Sequence, residues 1–365
     1  MGFESGNISF RGFYLKRKMP GDAVRRFADH ALPALESLRN EPITGWVTGR
    51  HLLDRHITDE SAIFAGYLRL NLVKAERKIP APLLRAECMM EELAAMQAEG
   101  LEYLKRDQRI KIKKEITERL LPDMPPQLKA IPIVCGRDDE FIFSGAMSDG
   151  QVEALILHLS QALGSGLDPM TPESAALKRK GHSIQDLVVT SLSPECADEE
   201  VSESPGLDFL TWLWFYSETR GGELETGQGT WAVMLEGPLT FVMEGSGAHE
   251  ASLRKGSPLQ SVEARCALLG GKKLSRARVT LARGDEQWSG ELDAQSFAMR
   301  GVKLPKTEEL DAVSRFQDRM LSLKSYLDGI LAYYDAFLDE RIDPRRWKET
   351  VGQMRKWVAN REGKR

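Results

Sequence analysis

An ordered succession of strands and helices in residues 67–164 restricts the possible fold more than any other feature of this sequence. Pro82 is tolerated in a first helical turn, because its missing N–H has no helical partner there, and Pro122 ends a second helix. The predicted elements are a strand over residues 63–73, helices over residues 82–97 and 105–121, strands over residues 128–135 and 140–146, and a helix closed by Gly164. This order predicts a mixed α+β fold.

The whole chain divides into segments of different composition. Its 365 residues are enough for two or three units, each with a core of its own. Residues 209–216 are mostly apolar and predict the anchor of a second unit, whereas residues 186–208 hold seven acidic residues and no Lys or Arg. We predict an N-terminal α/β lobe in residues 1–170, an acidic insertion or linker in residues 171–208, a second, mainly β lobe in residues 209–304, and a helical segment with a basic tail in residues 305–365.

Two hairpins and one long helix are predicted in the second half of the chain. The hairpins join residues 231–235 to 239–243 and residues 277–282 to 288–292. From Leu310 to Tyr334, apolar residues recur at spacings of three and four, which predicts a helix with a continuous apolar stripe. One alternative function follows from this stripe, that of an interaction or scaffold protein that recruits a helical partner.

Positive charge is concentrated in short segments, although the whole chain carries a net charge of −4. Residues 103–114 contain six Lys or Arg and one Asp, residues 252–283 contain eight and one Glu, and residues 341–365 contain nine against three acidic residues. A total charge near zero gives no general attraction to phosphate, but local basic surfaces can bind it. The basic tail is either a second nucleic-acid contact or a solvated helix.

Two basic groups in the first lobe are candidate phosphate contacts. On the predicted helix, Lys105, Arg109 and Lys113 recur every fourth residue and share one side. Because charge runs are often only solvated faces, these residues alone leave a solvated face and a nucleic-acid face both open. The candidate set consists of Lys74, Arg77 and Lys78 at the strand end and Lys105, Arg106, Arg109, Lys113 and Lys114 on the helix.

The sequence offers no convincing active site. It contains no GxSxG, Walker, HExxH or dinucleotide-binding pattern. The nearest approaches to a metal site are His51 with Asp54 and His56, Asp138 with Asp139 and Glu140, and Glu291 with Asp293 and Lys303. Asp is common in turns for conformational reasons, and the His spacing does not align both rings. We therefore predict no catalytic residue, metal or cofactor, and keep a metal-dependent DNA nuclease using Glu291 and Asp293 as an alternative.

The sequence predicts a cytoplasmic protein without membrane contact. No uncharged apolar run approaches the ~20 residues needed to span a bilayer, and the N-terminus lacks the apolar region of a signal peptide. The four Cys residues are widely separated, which favours unpaired thiols in a reducing compartment.

Residues 45–164 resemble the RdgC family of bacterial recombination-associated proteins. The resemblance is carried by Gly45-Trp46-Val47, by the strand ending in Lys74 with Arg77-Lys78-Ile79-Pro80-Ala81-Pro82 after it, and by the basic helix closing in Leu120-Leu121-Pro122. A weaker resemblance occurs in residues 263–304. The insertion in residues 176–206 and the long helices after Pro305 exceed the family pattern, which indicates a divergent, elongated member.

The resemblance implies a fold, an assembly and a partner. The implied subunit is a horseshoe with two mixed α/β lobes, and two subunits pair into a ring-shaped homodimer around double-stranded DNA. The implied activity is non-enzymatic, sequence-independent DNA binding on the nucleoid, which regulates homologous recombination by limiting the access of RecA recombinase to DNA. Where the family has an aromatic residue that helps close the ring, this chain has Met124, our candidate ring gate.

Overall fold

The structure is a computed structural model that describes residues 2–137, 139–183, 187, 190–193, 206–243, 250–255, 258–306 and 311–360. Residues 184–186, 188–189 and 194–205 of the predicted acidic insertion, together with Asp138 and Leu310, lie outside the described residues. The helices are α1 (Ala23–Asp29), α2 (Asp59–Ala62), α3 (Ala81–Glu99), α4 (Arg106–Leu120), α5 (Asp149–Leu163), α6 (Pro172–Lys180), α7 (Gly206–Thr219), α8 (Val262–Leu269), α9 (Ala312–Arg341) and α10 (Pro344–Asn360). Short 3₁₀ turns occupy Leu35–Ser37, Leu121–Asp123 and Pro258–Gln260. The strands are β1 (Ile8–Leu15), β2 (Ile43–Thr48), β3 (Ile63–Phe64), β4 (Tyr67–Arg77), β5 (Pro126–Gly136), β6 (Phe141–Ser144), β7 (Leu167–Pro169), β8 (Glu223–Thr226), β9 (Gly229–Val242), β10 (Ala251–Leu253), β11 (Lys273–Arg283), β12 (Glu286–Asp293) and β13 (Met299–Lys303).

The described strands form an antiparallel sheet that runs through both predicted lobes. Across the sheet the order is β10-β9-β11-β12-β13-β1-β6-β5-β4-β2, with β3 beside β4, β7 beside β1 and β8 beside β9. β1 joins the two halves, because Ile8 and Phe10 pair with β13 while Arg11 and Tyr14 pair with β6. The predicted mixed α+β fold is confirmed, and the two halves share one sheet.

The N-terminal half packs α1 and α5 against one face of β2, β4 and β5. Trp46 of β2 meets Phe27 of α1 edge to face, with ring centroids 4.8 Å apart. Gly45 points to the other face and has no room for a side chain, because a Cβ there would lie 2.4 Å from the Cα of Leu32. Val47 is buried on that same face. Packing on both sides of β2 thus explains the Gly45-Trp46-Val47 run.

The C-terminal half packs α7, α9 and α10 around the part of the sheet formed by β9 to β13. Every residue of α7 from Gly206 to Phe215 is buried, so the apolar run does anchor this half. From Phe316 onward the stripe on α9 is buried too, including Met320, Leu327 and Tyr334, whereas Val313 at its start is exposed. Because the stripe packs within its own chain, it is not available to a helical partner, which removes the basis of the scaffold alternative.

α9 also ties the two halves together. Its Lys324 Nζ lies 2.5 Å from Oδ1 of Asp139, in the turn between β5 and β6. Phe316, near the start of α9, packs edge to face on Phe64 of β3 with ring centroids 5.3 Å apart. The helix therefore fixes how the C-terminal half sits against the edge of the N-terminal half.

Two predicted elements differ from the observed ones. The predicted strand over residues 63–73 is a hairpin of β3 and β4, because Ala65 and Gly66 turn the chain with φ of 52° and 82°. The predicted hairpin around Gly237 and Pro238 is wrong, because residues 229–242 form the single strand β9. Those two residues coincide with a shift of register against β11 rather than a reversal of the chain. The β11–β12 hairpin is confirmed.

α3 and α4 form an antiparallel helical hairpin, here called the arm, which connects the ends of β4 and β5. Gly100 ends α3 with φ of 65°. Near the end of α4, Arg119 lies 2.8 Å from Glu87 and 3.0 Å from Glu91, both on α3. In the described part of the chain, α3 buries none of its residues. The arm therefore depends on helix–helix ion pairs and on the strand ends, and it has little core of its own.

Candidate nucleic-acid interface

A cluster of three charged side chains lies where the N-terminal sheet meets the arm. Lys74 of β4 and Lys129 of β5 stand opposite each other in register. Glu76 accepts from both, with Lys129 Nζ 2.6 Å from Oε1 and Lys74 Nζ 3.0 Å from Oε2. Hydrogen bonds from Lys129 and then Lys74 lower the pKa of Glu76 to about 2. Glu76 is therefore ionised at neutral pH, and these three residues, called the sheet-end cluster, keep one net positive charge.

The cluster is exposed because it lies at the end of a sheet face that is buried further along the strands. Leu72 and Ile131 form the preceding pair on the same face of β4 and β5, and both are buried in the N-terminal core. One pair further along the strands, Lys74 and Lys129 are exposed. The face that is apolar in the middle of the sheet thus becomes charged at its end.

An open groove of about 540 Å³ lies between α4 and the chain that leads into β2. Its lining combines the lysines Lys113 and Lys114 with the apolar Ile110 and Leu121, and Asn40 lies on the opposite side. Lysine ammonium groups beside a groove are suited to the phosphates of a polyanion, and the aliphatic neighbours give their stems a surface to pack on.

The groove and the sheet-end cluster lie at the same end of β2. Asn40 comes just before β2, and Thr44 of β2 stands opposite Lys74 of β4. Among the described residues that line the groove, the acidic one is Glu118, which lies 3.8 Å from Lys114 and is itself exposed. We call the groove and the cluster together the candidate interface.

Two of the predicted phosphate contacts, Arg77 and Arg109, also bind other parts of the protein. Arg77 donates from Nη1 to the carbonyl of Pro122 at 2.7 Å and to that of Met124, which ties the turn after α4 to the end of β4. Arg109 lies 3.6 Å from Glu92 on α3 and so joins the two helices of the arm. Arg109 is nevertheless exposed, and so are the other predicted contacts, namely Lys74, Lys78, Lys105, Arg106, Lys113 and Lys114.

Lys129 is not among the phosphate contacts that the sequence predicts. It stands opposite Lys74 only because β4 pairs with β5, and these strands are separated along the chain by the whole arm. One local signal was present, since Lys129, Ile131 and Ile133 alternate and so share a strand face. Without the register, that signal could not say which residue the lysine faces.

The proposed gate residue, Met124, directly follows the 3₁₀ turn Leu121–Asp123 and is half-buried. Its backbone N–H donates to the carbonyl of Leu121 at 3.2 Å, and its own carbonyl accepts from Arg77. The neighbouring Pro125 is exposed. The backbone of Met124 is thus fixed at the base of the arm. The part of Met124 in ring closure stays a prediction.

The acidic residues of the nuclease alternative have structural contacts. Asp293 Oδ1 accepts the backbone N–H groups of Gln295 and Ser296, each at 3.1 Å, and so holds the turn after β12. Glu291 stands in register beside Arg300 of β13. Across the described residues, no group of three or more His, Cys, Asp or Glu is placed to hold a metal ion.

The other two acidic candidates also lie in turns. Asp54 Oδ1 accepts the backbone N–H of His56 at 3.2 Å. Asp139 accepts the backbone N–H of Gly136 at 3.0 Å and pairs with Lys324. Of the other two members, Glu140 lies 3.2 Å from Lys178, and Asp138 lies outside the described residues. These contacts match the conformational role that Asp has in turns.

The side of α3 that faces away from α4 is apolar and exposed. Leu83, Met89, Met90 and Leu93 are all exposed, whereas Glu87 on the inner side meets Arg119 of α4. Residues three and four apart share one side of a helix, so these four side chains form a stripe. We call them the outer stripe of the arm. Contiguous apolar surface of this kind marks interaction sites.

The fold and the candidate interface define a class, a mixed α+β protein with a basic groove beside a helical arm. Residues 27–179 match the model of a family described as "Putative exonuclease, RdgC". This match supports the resemblance to the RdgC family that the sequence indicated. The match contains the arm and every residue named in the candidate interface, whereas the weaker resemblance in residues 263–304 lies outside it.

No curated protein matches the chain. Among the described helices, none combines the length and the apolar character that crossing a bilayer requires.

Proposed function

We propose that this protein binds double-stranded DNA through its phosphate backbone, without enzymatic activity, and regulates recombination by limiting the access of RecA recombinase to DNA. The observation that carries the proposal is the candidate interface, where exposed lysines of β4, β5 and α4 gather at one end of β2. This surface lies within the residues that match the RdgC family, whose members are associated with recombination.

The chemistry of the interface supports binding without sequence preference. Lys113 and Lys114 in the groove, like Lys74 and Lys129 beside it, end in ammonium groups on flexible stems. Such groups pair with phosphates as point charges and do not form the planar bidentate contacts that read base edges. Phosphate contacts position a protein on DNA but carry no sequence information directly.

Binding should weaken steeply as salt rises. Each neutralised phosphate contributes about −0.9 to the slope of log affinity against log salt, so ~6–10 contacts cost about 10³–10⁵ in affinity between 50 and 200 mM. Gel shifts of two linear duplexes of equal length and unrelated sequence, over a salt series, measure this slope. We expect equal affinities and equal slopes for the two sequences.

Two outcomes of this experiment would contradict the proposal. The first is an affinity that does not change with salt. The second comes from adding Mg²⁺, because the family description favours an exonuclease as a second candidate function. Shortening of the duplex that disappears in Asp293→Asn would establish a nuclease in place of a non-enzymatic binder.

We further propose that two horseshoe-shaped subunits pair into a ring-shaped homodimer that encircles DNA on the nucleoid. The outer stripe of the arm supports this assembly, since Met89, Met90 and Leu93 would be covered by the same stripe of a second copy. A twofold contact of this kind is self-complementary. Met124, at the base of the arm, is then the candidate gate of the ring.

Replacing Met90 by Asp should weaken the dimer by about 10- to 100-fold, because a charge would be buried in an apolar contact. Light scattering over a range of protein concentrations measures this change. The retention of circular DNA should fall with it, because an open ring cannot trap a closed duplex. Retention is the dissociation lifetime on a circle relative to that on a short linear duplex.

Leu157 on α5 provides a matched control. It is 55% exposed, close to the 58% of Met90, but it lies on a helix outside the arm. Leu157→Asp should leave the dimer unchanged. Equal effects of the two substitutions, or none from Met90→Asp, would contradict assembly through the outer stripe.

A further inference from the structure

The sheet-end cluster has an acidic member that the proposed function does not use. Glu76 is 18% exposed, whereas the Lys74 and Lys129 side chains that it holds are 47% and 64% exposed. The carboxylate therefore lies at the base of the pair while both ammonium groups reach solvent. A phosphate that approached from outside would meet two amines already bound to an internal anion.

We propose that Lys74 and Lys129 form a phosphate subsite at the foot of the arm and that Glu76 lowers DNA affinity by competing for it. The inference rests on the proposed DNA binding and adds to it one contact, Lys129, and one residue that tunes affinity. Register brings the two amines together on adjacent strands, and strand alternation puts Glu76 on the same face.

The competition is present at every physiological pH. The pKa of Glu76 is lowered to about 2, so the carboxylate does not release the lysines by taking up a proton near neutrality. Loss of these two exposed lysine–carboxylate pairs is expected to change the affinity about three- to tenfold, or by about 0.7–1.4 kcal/mol, which lies within the range for two such pairs. Glu76 contacts two lysines, whereas Glu118 contacts a single lysine at 3.8 Å.

Glu76→Gln separates competition from simple positioning. If Glu76 competes with phosphate, the substitution tightens DNA binding about three- to tenfold. It should also steepen the slope of log affinity against log salt by about 0.9 for each phosphate newly neutralised. If Glu76 instead serves to position the lysines, the same substitution weakens binding and overturns the proposal.

The experiment measures the salt-dependent affinity of the full-length protein for a linear duplex. Glu225→Gln is the matched control, since it makes the same charge change at an exposed residue of β8 in the other half of the chain. We expect the Glu76→Gln variant to bind DNA more tightly than the Glu225→Gln variant. Adding Lys129→Ala to Glu76→Gln should remove this gain in affinity. Equal affinity of the two Gln variants, or a gain that survives Lys129→Ala, overturns the inference. Absence of DNA binding by all variants, including the unaltered protein, overturns the proposed function as well.

Discussion

Replacing Arg106, Lys113 and Lys114 of α4 by Glu is expected to lower the affinity for double-stranded DNA by about 100- to 1000-fold. Each substitution turns an attraction for phosphate into a repulsion at an exposed position, and two of the three residues line the groove beside β2. Fluorescence anisotropy with a labelled duplex at low salt measures the loss. The slope of log affinity against log salt should become shallower at the same time.

This set of substitutions spares the residues that hold the arm together. Arg109 and Arg119 pair with acidic residues of α3 and are left in place, so the helical hairpin keeps its ion pairs. Ile116, the residue that α4 buries, is also unchanged. Circular dichroism and the melting temperature of the triple variant should therefore stay close to those of the unaltered protein.

Lys111 provides the control for net charge. It lies on the same helix, is exposed, and does not line the groove, and its partner is Glu115 at 3.9 Å. Lys111→Glu should change DNA affinity by less than about threefold, the effect of one distant charge, whereas Lys113→Glu alone should cost clearly more. Equal losses from these two single variants would show that the helix acts only through its total charge.

Local signals were sufficient to predict the arm. Pro82 lies in the first turn of α3, Gly100 ends α3, and Pro122 follows the end of α4. The basic residues keep their predicted spacing along α4. Each of these depends on residues close in sequence. The RdgC resemblance rests on the same segment and is confirmed.

Charge alone could not show which cations stay available to a ligand. Arg77 is predicted as a phosphate contact from the sequence, but its guanidinium group meets backbone carbonyls. Arg109 pairs with Glu92 and stays 55% exposed, so its phosphate contact stays a prediction. These partners lie up to 47 residues away along the chain. Lys129 is the opposite case, an exposed cation that charge alone did not identify as a phosphate contact. Its place beside Lys74 depends on the register of the two strands that flank the arm.

Asp208→Asn should lower the free energy of unfolding by about 3–5 kcal/mol, the range for removing one partner of a buried ion pair. Asp208 in the first turn of α7 lies 3.2 Å from Arg341 at the end of α9, and both side chains are almost fully buried, at 4% and 6% exposed. The backbone N–H of Thr190 also donates to the Asp208 carboxylate, at 3.1 Å. Asparagine keeps the shape of aspartate but removes the negative charge that faces the buried guanidinium. Urea unfolding followed by tryptophan fluorescence measures the loss.

Removing Asp208 and removing Arg341 should not lower the free energy of unfolding by the same amount. Burial raises the pKa of the Asp208 carboxyl more than Arg341 lowers it, so this carboxyl can take up a proton when the guanidinium is removed. Arginine has no such escape, because it stays protonated in proteins. Arg341→Met should therefore cost less than Asp208→Asn.

Asp335→Asn is the control for this prediction. Asp335 also lies on α9 and pairs with an arginine, since Arg179 donates from Nε to its Oδ1 at 2.7 Å, but that pair is partly exposed. Because solvent screens exposed pairs, Asp335→Asn should cost at most about 1 kcal/mol. If Asp208→Asn costs no more than Asp335→Asn, or if Arg341→Met costs more than Asp208→Asn, the buried pair does not hold α9 against α7 in the way inferred. α9 reaches from this pair to Lys324 and Phe316 at the N-terminal half, so its attachment helps to hold the two halves together.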